Sequence, residues 1–264
     1  TKGANSSSLR QQPYSDIPAM QRAFSLKQSY MSTIVRQVIT DEKLVNFASR
    51  KELTEKTIEQ LLVERFEPYI GMTVEQIAEK VGFVINLKNK ASVANLISFL
   101  LGVKGTKLNK IAEFAKANIQ FKTVRLELNG IPKEHMSFVN INFNEVYSES
   151  WEESFIHELL FVVFQKNKQE ELIFKGIRLW HLSYELMETK LYEFWFELKK
   201  VLNEGVVLTQ KSRGVSNNLP GPKFNGYFHV RPKGRDGSDK VELPDGQKIT
   251  KQCYWMDKQF VAEI

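Results

Sequence analysis

The stretch EFAKANIQFKT, Glu113 to Thr123, organises the chain around it. Its second half opens a predicted strand through IQFKTVRLEL, residues 119 to 128. Side chains alternate along a strand, so Gln120 and Lys122 share one face, with Glu113 seven residues before Gln120. FVNINFNEV, residues 138 to 146, is the expected neighbouring strand after the NGIP turn. Upstream, Thr73 and Gln76 form a capping box that opens VEQIAEKV, whose Val74, Ile77, Ala78 and Val81 share a face, and Gly82 suits its stop. Ser92 is expected to cap VANLISFLL, a helix apolar nearly all round and therefore buried, ended by Gly102. Downstream, Ser150 with Glu153 predicts a helix through FIHELLFVVF. A strand is expected near LIFKGIRLW, then a long helix from about Ser183 to Leu202, then short strands such as FNGYFHVR between Gly- and Pro-bearing loops. This mixed order predicts an α+β (mixed α/β) fold.

With 264 residues, 42% of them apolar, the chain can bury one large core or two modest ones. Its single cysteine, Cys253, excludes an internal disulfide framework and a Cys-rich zinc site, which fits a cytoplasmic location. Apolar runs such as LLFVVF fall well short of the roughly 20 residues of a membrane span, so no membrane partner is expected. The formal net charge is +6, and after Gly205 ten cations face six carboxylates, which permits a polyanionic partner. His135, His157, His181 and His229 have no i, i+4 pairing, so no metal site is expected from spacing. The stripe Tyr184, Tyr192, Phe194 and Trp195 reads as core rather than as a stacking platform.

Metal-dependent phosphodiester hydrolysis needs hard oxygen ligands to hold the cation and a lysine to stabilise charge and position the attacking water. An Asp…Glu-x-Lys site takes its last two groups from one strand face. Gln120 and Lys122 have that spacing, but Gln120 supplies only a neutral carbonyl.

Several blocks together carry a resemblance. They are YIGMTVEQIAEKVGF (69 to 83), NKASVANLISFLLG (89 to 102), EFAKANIQFKT, SFVNINFNEVYSESWEES (137 to 154), YFHVRPK (227 to 233) and CYWMDKQF (253 to 260). Their order and approximate spacing resemble the MutH family. That family comprises a mismatch-repair nicking endonuclease and GATC-cutting type II restriction enzymes with the restriction-endonuclease fold. The resemblance covers roughly residues 65 to 264. RAFSLKQSYMSTIV at 22 to 35 is similar to QCYWMDKQFVAEI at 252 to 264, as if one domain tail preceded a second domain. The chain thus resembles the second half of two-domain GATC-specific restriction enzymes of the staphylococcal type. Residues 1–39 are then expected to be the tail of a preceding MutH-like nuclease domain and linker, and 40–264 a MutH-like DNA-binding domain.

The resemblance places a vestigial catalytic set at Lys90, Ser98, Glu113, Gln120 and Lys122. Ser98 and Gln120 stand where the family has Glu, and Glu113 where it has Asp. A degenerate centre implies no metal for this chain, with Mg2+ kept by the intact parent enzyme. The same resemblance assigns DNA contacts to Arg231, Lys233, Arg235 and Lys240, in a loop that reads GATC, and to Trp255, where the family has a methylation-sensing Tyr. After Trp151, Glu158, Leu159 and Leu160 occupy places where cations would help grip phosphate. The implied role is a non-catalytic effector module that binds double-stranded GATC DNA, assists the upstream catalytic domain, and dimerises on DNA. An active Mg-dependent nuclease and a purely structural or dimerisation domain are the alternatives.

Overall fold

The computed structural model describes residues 9–13, 15–20, 25–41, 43–89, 91–146, 158–212 and 214–264. The N-terminal part is a hairpin of β1 (Leu9–Gln12) and β2 (Ser15–Met20), followed by helices α1 (Gln28–Ile39), α2 (Arg50–Glu55), α3 (Ile58–Phe66), α4 (Val74–Lys80), α5 (Ser92–Leu100) and α6 (Ala112–Ala117). Strands β3 (Ile119–Leu126), β4 (Met136–Asn140), β5 (Glu158–Lys166) and β6 (Leu172–Trp180) come next. Then follow α7 (Tyr184–Leu186) and α8 (Tyr192–Glu204), joined by a π-helical turn at Met187–Leu191. The rest is β7 (Leu208–Lys211), β8 (Gly214–Asn217), β9 (Phe228–Pro232), β10 (Lys240–Glu242), β11 (Lys248–Thr250), β12 (Gln252–Met256) and α9 (Lys258–Glu263). The mixed class is as the sequence predicts.

Two three-stranded sheets organise these elements, in the orders β3-β5-β6 and β4-β12-β9. β3 and β5 run parallel, with Gln120 opposite Leu159 and Lys122 opposite Phe161. One face of this sheet, through Leu160, Val162, Phe164 and Phe174, packs with α3 to α6. The other, through Val124, Leu159 and Phe161, shares a core with α8, α9 and the second sheet.

The predicted helix through FIHELLFVVF is instead β5 over its described part. Buried on both faces, this strand reads as an unbroken apolar run, and periodicity does not separate such a run from a buried helix. Ser150, Trp151, Glu153 and His157 lie outside the described residues. Nor does 138 to 146 pair with β3: β4 ends at Asn140 and joins β12, with Ser137 opposite Trp255. The sequential hairpin is replaced by a pairing distant in sequence.

Helix signals fare better where a cap is local. Thr73 and Gln76 form both bonds of the capping box on α4. Ser92 does not cap α5: Ala91 is the N-cap and makes no side-chain bond. Gly102, at φ +76°, ends α5 in the left-handed region, and Val103 N–H donates to Ser98 O. Ser183 caps the predicted long helix. Of its aromatic stripe, Phe194 and Trp195 are core, while Tyr184 and Tyr192 are exposed.

α1 docks on α6 through hydroxyls, Ser29 Oγ donating to Lys116 O and Thr33 Oγ1 to Ala115 O. Its Tyr30 and Val38 stay exposed, as does Leu26 just before it. Among the described residues no helix is long and apolar enough to cross a membrane.

Candidate nucleic-acid interface

Ile119 and Phe121 pack with the helical core and Val124 with the other. Gln120 and Lys122 therefore project towards the second sheet. The Lys122 ammonium donates to Ser137 O at 2.8 Å and lies 4.6 Å from the centre of the Phe138 ring. Burial, with Lys233 adding repulsion, pushes its pKa down to about 8; Cys253 acts the other way. Ser137 serves a second lysine: Lys233 Nζ donates to its hydroxyl at 2.7 Å. Trp255, opposite Ser137 on β12, carries the Arg231 guanidinium 5.4 Å and the Lys233 ammonium 5.8 Å from its ring centre. Its indole N–H donates to Arg231 O at 3.3 Å.

Sequence-predicted residues from two groups thus meet around one serine: Lys122 from β3, and Lys233 with Arg231 and Trp255 from β9, the segment just after it and β12. Arg235 and Lys240 lie elsewhere in that region. Arg235 Nε bonds Asp236 Oδ2 at 3.2 Å, and Lys240 starts β10 on the surface. The loop itself is tied rather than loose, since Lys233 N–H donates to Lys251 O and Lys251 N–H to Asp239 O. Gly234 permits this closeness: a Cβ there would lie 3.0 Å from Asp236 O and from Thr250 Cγ2. Beside the cluster, a cleft of about 540 Å³ is lined by Lys122, Ser137, His135, Arg125, Lys133 and Lys166 among others. Glu127 and Glu134 are its two carboxylates, and Lys166 is paired with Glu127 at 3.1 Å.

Glu113 and Ser98, two further positions of the expected nuclease-like set, are bonded elsewhere. Glu113 Oε2 accepts from Phe47 N–H at 3.2 Å, and Oε1 is buried with no hydrogen-bond partner among the described residues. The Ser98 hydroxyl donates to Thr106 O at 2.8 Å and lies 3.2 Å from Ala94 O, which fixes the turn after α5. Gln120 is half-buried on β3, and Lys90 lies outside the described residues. A Mg2+ ion needs a near-octahedral oxygen shell at about 2.1 Å. One carboxylate, already bonded to a backbone amide, with a neutral amide and a committed hydroxyl does not fit that need. Leu159 and Leu160, expected at phosphate-gripping places, are buried in β5, and Glu158 is ion-paired with Lys27 at 3.1 Å.

His135, His229 and Asp257 form a second group, with their ligand-type atoms within 4.8 Å of one another. Burial pushes both imidazole pKa values down, that of His229 to about 4. Neither this trio nor Ser137 carries a signal in sequence spacing, because 94 positions separate His135 from His229 and only strand pairing brings them together.

No family model matches the chain. Over its whole length, however, it is 34% identical to the "Type II restriction enzyme Sau3AI" of Staphylococcus aureus, and it spans 63% of that protein's length. The chain is accordingly a relative of a staphylococcal type II restriction enzyme, matched along the whole of this chain but along only part of that enzyme.

Proposed function

We propose that this chain is a restriction-endonuclease-like, DNA-binding effector module: it holds double-stranded GATC DNA without cutting it and supports a catalytic domain of the same polypeptide. The observation that carries this reading is the convergence of Lys122 and Lys233 on Ser137, flanked by Arg231 and Trp255. Two ammonium groups at one serine repel each other, and a bound phosphate relieves that repulsion. Arginine at the end of β9 can take base edges or phosphates. Lys122, which would serve the attacking water in an intact nuclease, acts here as a positioning cation. Mg2+ chemistry is left to the intact domain, because Glu113 is the one carboxylate among the vestigial positions.

Titration of the chain against a GATC duplex and a scrambled duplex at two salt concentrations tests the binding. Tighter GATC binding that weakens steeply with salt supports it. No affinity for either duplex favours a purely structural domain.

A further inference from the structure

His229 is 1% exposed on β9, and its Nε2 is buried with no hydrogen-bond partner among the described residues. An imidazole nitrogen left so is costly unless something unseen satisfies it. The His135 ring lies edge-on to it, 4.6 Å between centres. Asp257 completes the group: its Oδ1 caps α9 by accepting from Gln259 N–H at 2.7 Å, while Oδ2 lies 3.3 Å from His135 Nδ1. That same Nδ1 accepts from Lys258 N–H at 3.2 Å. With its lone pair so engaged, Nδ1 has no proton to offer, and it faces a carboxylate oxygen. Two acceptor atoms, His135 Nδ1 and Asp257 Oδ2, thus face each other with no proton between them.

We infer that His135, His229 and Asp257 form a binding site for one transition-metal ion of the Zn2+ class. Zinc bonds to imidazole nitrogen and carboxylate oxygen at about 2.0–2.2 Å, so tetrahedral ligand atoms sit about 3.3 Å apart. The His135–Asp257 pair already has that spacing at 3.3 Å. Atoms within 4.8 Å of one another need only small side-chain rotations to close the rest, with His135 Nδ1 exchanging the Lys258 amide for the metal. Burial keeps both imidazoles neutral at pH 7, as ligands must be. Arg231 and Lys258 oppose a cation here, and two nitrogen donors disfavour Mg2+. The ion would bind the strand carrying Arg231 to the start of α9. The site stands independently of any DNA role.

The test is titration of chelator-treated chain with Co2+, followed by Zn2+ displacement. The expected result is one saturable equivalent with the visible absorption of tetrahedral cobalt, displaced by Zn2+ but not by Mg2+. His135→Gln and Asp257→Asn should each weaken binding more than about tenfold. Asp257→Asn keeps a good cap, so it guards against the case where His229→Gln fails to fold. No saturable binding, or equal binding by wild type and both variants, overturns the inference.

Discussion

Lys122 and Lys233, 111 positions apart in sequence, each donate to Ser137, one to its carbonyl at 2.8 Å and the other to its hydroxyl at 2.7 Å. This shared residue joins the two three-stranded sheets, since Lys122 leaves β3 and Ser137 lies on β4. It also makes the chemistry of either lysine depend on the other.

Stability should rise with pH through the Lys122 titration. Its folded pKa of about 8 lies below the ordinary 10.5, so below 8 both states are protonated and the folded chain carries the whole burial penalty. Between the two values the unfolded chain holds the extra proton, and the penalty, on the order of 2–3 kcal/mol, is relieved as pH rises. Urea unfolding at roughly pH 7 and pH 9.5 should show the rise in wild type and a flatter response in Lys122→Met. An unchanged slope in the variant would show that another group is responsible.

Arg231→Ala and Lys233→Ala should each cost about 1–3 kcal/mol on a GATC duplex and narrow its advantage over a scrambled one if they read base edges. Contacts to phosphate alone would weaken both duplexes alike and make the salt slope shallower by about one per contact. Unchanged affinity in the double variant removes this region from the interface.

Gly234→Ala should disturb the same region without touching a charge. Its Cβ would press on backbone oxygens of Asp236 and Asp239 at 3.0 and 3.1 Å, so the loop must shift, at about 1–3 kcal/mol. A thermal melt checks the cost, and an unaltered melting temperature would show that the loop yields freely.

Ser98 is 2% exposed, with its hydroxyl donating to Thr106 O. Ser98→Ala should cost about 1 kcal/mol by leaving that carbonyl without its donor. Ser98→Glu should cost several kcal/mol more, as burying an unpaired carboxylate does. Equal stability of Ser98→Glu and wild type in urea would mean that the position still tolerates a metal-ligating carboxylate.

Local chemistry was legible in the sequence and distant pairing was not. The Thr73 and Gln76 capping box, the glycine stop at Gly82 and the strand at Gln120 to Lys122 depend on neighbours within a turn or two, and each is found. β5 is a strand where the pattern predicts a helix, because Leu159, Leu160, Phe161, Val162 and Phe164 are buried on both faces and show no alternation. Arg231, Lys233 and Trp255 were identified as candidates, but Ser137, which ties them to Lys122, is an ordinary serine until β4 pairs with β12. The His135, His229 and Asp257 group was hidden for the same reason.

The most direct test of binding without cutting is a gel-shift titration of the chain on end-labelled GATC duplex with Mg2+ present, the same samples also being run under denaturing conditions. The expected result is a saturable shifted band, preferring GATC over scrambled DNA and weakened in Lys233→Ala, with the duplex intact on the denaturing gel. Cleavage at GATC that disappears in Lys122→Ala, or no shifted band at any concentration, would contradict it.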